Sequence, residues 1–284
     1  MRALDEDVKD TIWEALKGHL PERVDSHPLG CHRRRASDRD CFEVIIVRLT
    51  TGCSWVDAEK LTGGKVSDTT ARSRRDEWIE AGIFDLLAKE ALNAFDRIIG
   101  LDLSEVAIDG SLHKSPCGGE GTGKNPTDRA KLGWKWSIAT DKFGIPIGYT
   151  IDGANRNDSV LLKPTLESVN EFGLVEDIET MWLDRGYDSN LTKERLDEYG
   201  ITDRIIAKKS KRKSSTPKTN QPMGLRWPVE RTNSWLSNFG QLRRNTDRKI
   251  IHRISQLALG VVFILTAKLI DWKNRWSPLP SPIR

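Results

Sequence analysis

Apolar side chains recur at Ile12, Leu16 and Leu20, with Trp13 beside them, inside "DEDVKDTIWEALKGHLP". That spacing predicts a helix, stopped where Pro21 follows Leu20. "HRRRASDRD" is a polar, Arg-rich loop, and "CFEVIIVRLTTGCSW" predicts an apolar helix ended by Gly52. "SDTTARSRRDEWIEAG" predicts a third, opened by Ser67 or Asp68 as a cap and closed at Gly82. "IFDLLAKEALNAF" adds a fourth. Residues 1–100 therefore read as an all-α domain of short helices with Gly-containing turns. Such helices suit either a helix-turn-helix type of DNA contact or a plain bundle with a solvated basic face.

After Gly100 the period changes. "SEVAID" reads as a strand ending at Asp109, and 112–133 as a long Gly-rich loop. "WKWSIATD" and "IPIGYTID" are strands joined at "KFG"; "TMWLD", ending at Asp184, and "DRIIA" are two more. Helices are predicted over "DSVLLKPTLESVNEFG", with Asp158 or Ser159 as cap, and over "SNLTKERLDEYG", with Asp188 placed just ahead as its cap. Strand trio, helix, strand, helix, strand, helix is an α/β order with a mixed sheet of five strands, and it fits an RNase H-like core over 101–284. In that topology the strands ending at Asp109 and Asp184 lie side by side. "LALGVVFILTA", Leu257 to Ala267, is too short for a bilayer and reads as a buried helix.

Charge sharpens this picture. The net charge is +4, but the segment from Arg204 onward holds 18 of the 45 Lys and Arg and only 3 of the 41 Asp and Glu. Within it the stretch 208–222, "KKSKRKSSTPKTNQP", is a basic low-complexity loop. Neutralising phosphates with such cations releases counterions, so a nucleic-acid partner fits. The four cysteines, Cys31, Cys41, Cys53 and Cys117, contain no Cys-x-x-Cys pair, which argues against zinc and for reduced thiols. Residues 1–20 carry acids and no apolar signal core, so a cytoplasmic, nucleoid-associated protein without a membrane role is expected.

"PVERTNSWLSNFGQLRRN" sets one acid, Glu230, among cations. Singly, Asp109, Asp184 and Glu230 each have an ordinary reading: a strand-end turn twice, and a helix-start acid or a partner for Arg226 at i,i+4. Together they mark the place where two strand ends and a helix converge. Three carboxylates there repel one another, a divalent cation relieves the repulsion, and an all-oxygen set favours Mg²⁺ or Mn²⁺ over zinc.

"VAIDGS", "GKNPTDRAKLGWKWSIATDKFGIPIGYTIDGANRNDS", "LDRGYDS" and "RWPVERTNSWLSNFGQLRR" stand in the order and spacing of the DDE transposases of the IS-Five insertion-sequence family, which the chain resembles over nearly its whole length. "IWEALKGHLPE" and "TTGCSW" resemble that family's helical leader. The resemblance implies Asp109, Asp184 and Glu230 as the catalytic and metal-binding triad, with Asp109 shared by two ions. It implies cleavage of double-stranded DNA at terminal inverted repeats, first by water, and then joining of 3′ hydroxyl ends to target DNA. It also implies a dimer or higher oligomer on DNA. The family's Tyr-two-Arg-three-Glu-six-Lys pattern keeps Arg226 but has Met223 for Tyr and Ser237 for Lys. Candidate DNA contacts are Lys124, Arg129, Lys131, Lys208, Lys209, Lys211, Arg212, Lys213, Arg226, Arg231, Arg243 and Arg244, with Lys135 beside the long loop. A non-catalytic DNA-binding regulator, or a nuclease of the same fold that cuts without joining, are the rival readings.

Overall fold

The structure is a computed structural model, and it describes residues 4–21, 35–206 and 226–276. It divides into two compact units: Met1–Gly100 with Ser255–Arg284, and Leu101–Ile254. The boundary at Gly100 coincides with the change of period. The residues from Ser255 onward, however, cluster with the first unit, where the sequence reading grouped them with 101–284. Their run from Leu257 to Leu265 is buried on every side of the helix, so it belongs inside a helical core.

In the first unit the described residues before Gly100 are helical: α1 (Glu6–Lys17), α2 (Asp38–Thr51), α3 (Trp55–Leu61), α4 (Asp68–Glu80) and α5 (Ile83–Ile98). Three successive helices start on a serine whose hydroxyl takes a first-turn N–H: Ser37 from Asp40, Ser54 from Asp57 and Ser67 from Thr70. Gly52 closes α2 with φ 73°, a backbone that a residue with a Cβ resists. The seven-residue α3 has no counterpart in the sequence reading, because it is too short to show a period. α4 also corrects an expectation. Arg74 and Arg75 of "ARSRRDEW" do not form a solvated basic face; they are 4% and 5% exposed. Arg74 pairs with Asp38, and Arg75 lies over the Trp55 ring at 4.9 Å, with Arg48 over the same ring at 4.6 Å.

The second unit is a mixed sheet with helices. Its strands are β1 (Glu105–Lys114), β2 (Gly123–Lys124), β3 (Leu132–Thr140), β4 (Pro146–Gly153), β5 (Thr180–Leu183) and β6 (Arg204–Ile206). The order is β2-β3-β1-β5-β6, with β4 also on β3. β1, β3 and β4 pair antiparallel, and β1, β5 and β6 parallel. The sheet has six strands where five were expected, because two residues of the 112–133 segment pair with β3. β1 also runs on to Lys114, so Asp109 lies inside a strand and not at its end. Gly110, which reads as a turn signal, continues the ladder opposite Ser137.

β3 explains the packing. Its residues from Gly133 to Thr140 are all buried, without alternation, because helices cover both faces. On one face, α6 (Asp158–Asn170) meets Ser137 through the Thr165 hydroxyl at 2.8 Å. On the other, α8 (Arg226–Ser237) meets Trp136, whose ring N–H donates to Asn233 Oδ1 at 2.8 Å. α7 (Asn190–Glu198), α9 (Gly240–Arg243) and the start of α10 (Ile250–Trp276) complete the unit. The apolar run, expected to be too short for a bilayer, belongs to a helix of 27 residues that is long and apolar enough to cross one; 78% of its apolar window is nonetheless buried within the protein, as a buried helix requires. Arg253 on α10 is buried and ties the 115–121 loop, donating to Ser115 Oγ at 3.2 Å and to the carbonyls of Gly118 at 2.7 Å and Asp247 at 2.6 Å.

The α6 interface is close enough to be tested. A Cβ at Gly148 on β4 would stand 2.5 Å from Val169 Cγ2 and 2.9 Å from the Val169 backbone N. The backbone cannot yield as a side-chain tip can. Gly148→Ala is therefore expected to cost about 2 kcal/mol or more, read as a lower midpoint in urea with an unchanged slope.

Candidate functional site

Ile108 of β1 is paired in parallel with Leu183 of β5. Asp109 and Asp184 each follow that matched pair by one residue. The two aspartates therefore stand at the same level on neighbouring strands, as the sequence reading expects of the strands, although β1 runs on past Asp109. Asp184 departs through a short 3₁₀ turn, Arg185–Tyr187, and its Oδ1 accepts the Arg185 N–H at 2.5 Å. Both aspartates are half-buried.

Glu230 is carried by α8, which packs on β1 and β3. The contact is specific. Asn233, 8% exposed, donates from Nδ2 to Asp109 Oδ2 at 3.1 Å. Glu230 precedes Asn233 by three residues, so both lie on one side of the helix, and Glu230 is exposed. Among the described residues, no three or more His, Cys, Asp or Glu side chains close into a group able to hold a metal ion. The donor chemistry nonetheless fits a hard cation. Two carboxylates from neighbouring strands, completed by water and phosphate oxygens, are the usual protein share of a Mg²⁺ site.

A further acid sits here. The sequence reading makes Asp158 a helix cap, but the cap of α6 is Asn157, whose side chain takes the Ser159 N–H at 3.1 Å. The Asp158 carboxylate instead receives the Lys135 ammonium at 2.7 Å. Lys135 also donates to the Arg156 carbonyl at 3.0 Å and is only 6% exposed. It is thus a buried counter-ion, not a loop cation facing solvent. Asp158 fits because Gly110 has no side chain: a Cβ there would stand 2.3 Å from Asp158 Oδ1. Its other oxygen lies 3.8 Å from where a Gly186 Cβ would be. One buried phenol reports the cluster. Burial, then the charges of Asp158, Asp109 and Asp184, push the Tyr187 pKa well above its ordinary value. Asp188, also read as a cap, gives way to Ser189, whose hydroxyl takes the Thr192 N–H.

The aromatic residues around the site belong to the core. Trp134 and Trp136 are fully buried, and His113 stacks on Trp136 with ring centroids 3.5 Å apart. Burial lowers the His113 pKa to about 3, so it is neutral there. Trp235 is half-buried beneath the Arg231 guanidinium, 4.9 Å from its ring. Arg231 also donates to the Phe143 carbonyl.

The other cations form a rim. Lys124, Arg129, Lys131, Arg243 and Arg244 are exposed. Lys124 pairs with Leu132 on β2–β3, and Arg244 bridges to Lys114 at the end of β1. Lys114 is five residues beyond Asp109, about 17 Å at strand rise. Arg129 and Ala130 take left-handed backbone, φ 50° and 56°, in a tight turn closed by the Ala130 N–H on the Asn125 carbonyl. Lys208, Lys209, Lys211, Arg212 and Lys213 lie outside the described residues, as does the side chain of Arg226.

Comparisons with known proteins agree on a family. A family model described as the transposase DDE domain matches residues 100–265. A second, for candidate transposases of the IS4/5 family, matches residues 8–88. A curated relative from Burkholderia cepacia, described as the candidate transposase for insertion sequence element IS402, is 36% identical over 151 residues, covering 50% of this chain and 67% of its own. Two solved structures bear a faint likeness. The pre-cleavage Mos1 transpososome is 9% identical with a TM-score of 0.32, over 89% of this chain and 81% of its own. The Mos1 mariner paired end complex with Mn is 9% identical with a TM-score of 0.27, over 95% and 88%.

Proposed function

Since the chain belongs to the DDE-domain transposase family, with a leader of the IS4/5 type, we propose that it is an IS-Five-type enzyme acting on its own element. It cuts DNA at the terminal inverted repeats and joins the freed 3′ ends to target DNA. Its sheet is read as an RNase H-like core, and residues 1–100 as a DNA-end contact through α3, α4 and the turn between them, whose exposed cations include Lys60, Lys65 and Arg72. The observation that carries this reading is the parallel register Ile108↔Leu183, which sends Asp109 and Asp184 out at one level.

Asp109, Asp184 and Glu230 are the proposed holders of two Mg²⁺ or Mn²⁺ ions. When bound, such a pair activates the attacking oxygen and stabilises the leaving one in an in-line displacement. The remaining work falls to the protein. Asp109 is oriented by Asn233. Asp158 is neutralised by Lys135, so the site faces a phosphate with less negative charge than its four acids imply. The exposed cations Lys124, Arg129, Lys131, Arg243 and Arg244, some of them beside the far end of β1, are the proposed hold on the DNA backbone. Two copies acting on two element ends are part of the same proposal.

The test is a strand-transfer assay with purified protein, Mg²⁺ and a labelled duplex carrying the repeat that flanks the gene. Joined products support the transposase. Cleavage without joining identifies a nuclease, and binding alone a regulator. Deleting Lys208–Lys218 is expected to weaken duplex binding and flatten its salt dependence, by about 0.9 in log–log slope for each phosphate no longer neutralised. An unchanged slope removes that segment from the DNA interface.

A further inference from the structure

We propose that Asn233, held by Trp136, is a positioning residue that sets the Asp109 carboxylate and, through α8, the approach of Glu230. The inference rests on Asp109 being a metal ligand. An amide has two ends that are chemically opposite, and each end of Asn233 is engaged. The Trp136 indole can only donate, and it lies 2.8 Å from Asn233 Oδ1. That contact dictates which way the amide faces. The N–H₂ end is thereby turned to Asp109 Oδ2, 3.1 Å away.

Trp136 is fully buried and Asn233 is 8% exposed, so the bond between them does not compete freely with water, while the bond to Asp109 is part-buried. The Trp136 ring is itself wedged, stacked on His113 at 3.5 Å and edge-on to Trp134 at 5.3 Å. A rigid aromatic layer thus reaches a carboxylate oxygen through one amide. Two consequences follow. Asp109 is fixed in one rotation, with the Oδ2 lone pair facing Asn233 already used. And because Glu230 stands three residues before Asn233 on the same helix, the amide contact also sets the rotation of α8 at the site.

The experiment is Mn²⁺ titration of the purified full chain, followed by the electron paramagnetic resonance of free Mn²⁺. Asn233→Ala is expected to weaken Mn²⁺ binding about 10- to 100-fold, the usual cost of losing a group that orients a ligand. Trp136→Phe, which keeps an aromatic ring but removes the indole N–H, is expected to weaken it several-fold. The double variant should be no worse than Asn233→Ala, because both act through one chain of bonds. A merely structural role moves the thermal midpoint but leaves this affinity and its non-additivity untouched. Asp109→Asn separates the two ideas. If it leaves Mn²⁺ binding unchanged, the metal reading itself fails. If it abolishes binding while folded Asn233→Ala and Trp136→Phe bind as the wild type does, the positioning role is overturned. Should Asn233→Ala not fold, Trp136→Phe alone decides, since it leaves α8 intact.

Discussion

Asp109→Asn is expected to abolish metal-dependent cleavage, by about a thousandfold or more, while duplex binding stays intact or tightens slightly. The size follows from the several kcal/mol of transition-state stabilisation that a metal-held phosphate receives, each 1.4 kcal/mol being tenfold in rate. The opposite sign for binding follows from charge. One negative group beside the phosphates is removed, and the volume hardly changes. The replacement amide can still accept from Asn233 with its oxygen, so the local packing has no reason to fail. Asp184→Asn and Glu230→Gln should show the same pattern. The measurement is single-turnover cleavage of a labelled repeat end, beside a binding isotherm at matched salt. Retained cleavage in Asp109→Asn would remove this residue from the chemistry.

The second large effect is on stability. Asp158→Asn should leave the Lys135 ammonium inside the protein with the Arg156 carbonyl but no anion. Breaking a fully buried ion pair costs about 3–5 kcal/mol. Lys135 is 7% exposed at its side chain, but Asp158 is 34% exposed. Solvent screening on that side lowers the expected loss to about 2–3 kcal/mol, or roughly 5–10 °C in thermal midpoint. The companion variant Lys135→Met with Asp158→Leu should recover most of the loss, since it leaves no buried charge. A single Asp158→Asn variant melting with the wild type would mean that the pair does not hold the site together.

How far the sequence could be read is clear from particular residues. Gly52 and Ser67 mark a helix end and a helix start because capping is local chemistry, decided within four residues. The strands of the trio and the two that follow it are legible because each is a short apolar run between turn residues. Asp158 was visible as a polar residue near a helix start, but its true partner is 23 residues away on a strand. Nothing in "WKWSIATD" announces that Lys135 points inward, since burial on both faces erases the alternation that would have sorted its side chains. Gly110 misled for a related reason. It looks like a turn, and its bareness instead makes room for a carboxylate from another element. Asn233 carried no signal beyond its spacing from Glu230, because an amide bridging two buried groups is a property of the assembled interior.

The doubly covered β3 strand has a consequence for which substitutions the chain can bear. On an ordinary amphipathic strand, every other position is free to wander among polar residues. From Gly133 to Thr140 no such free set exists, since one side answers to α6 and the other to α8. A change at Ser137 is felt by Thr165, and a change at Trp136 by Asn233 and the acid beyond it. Substitutions are therefore expected to be borne better at exposed positions such as those of the Arg129 turn than anywhere within this octet.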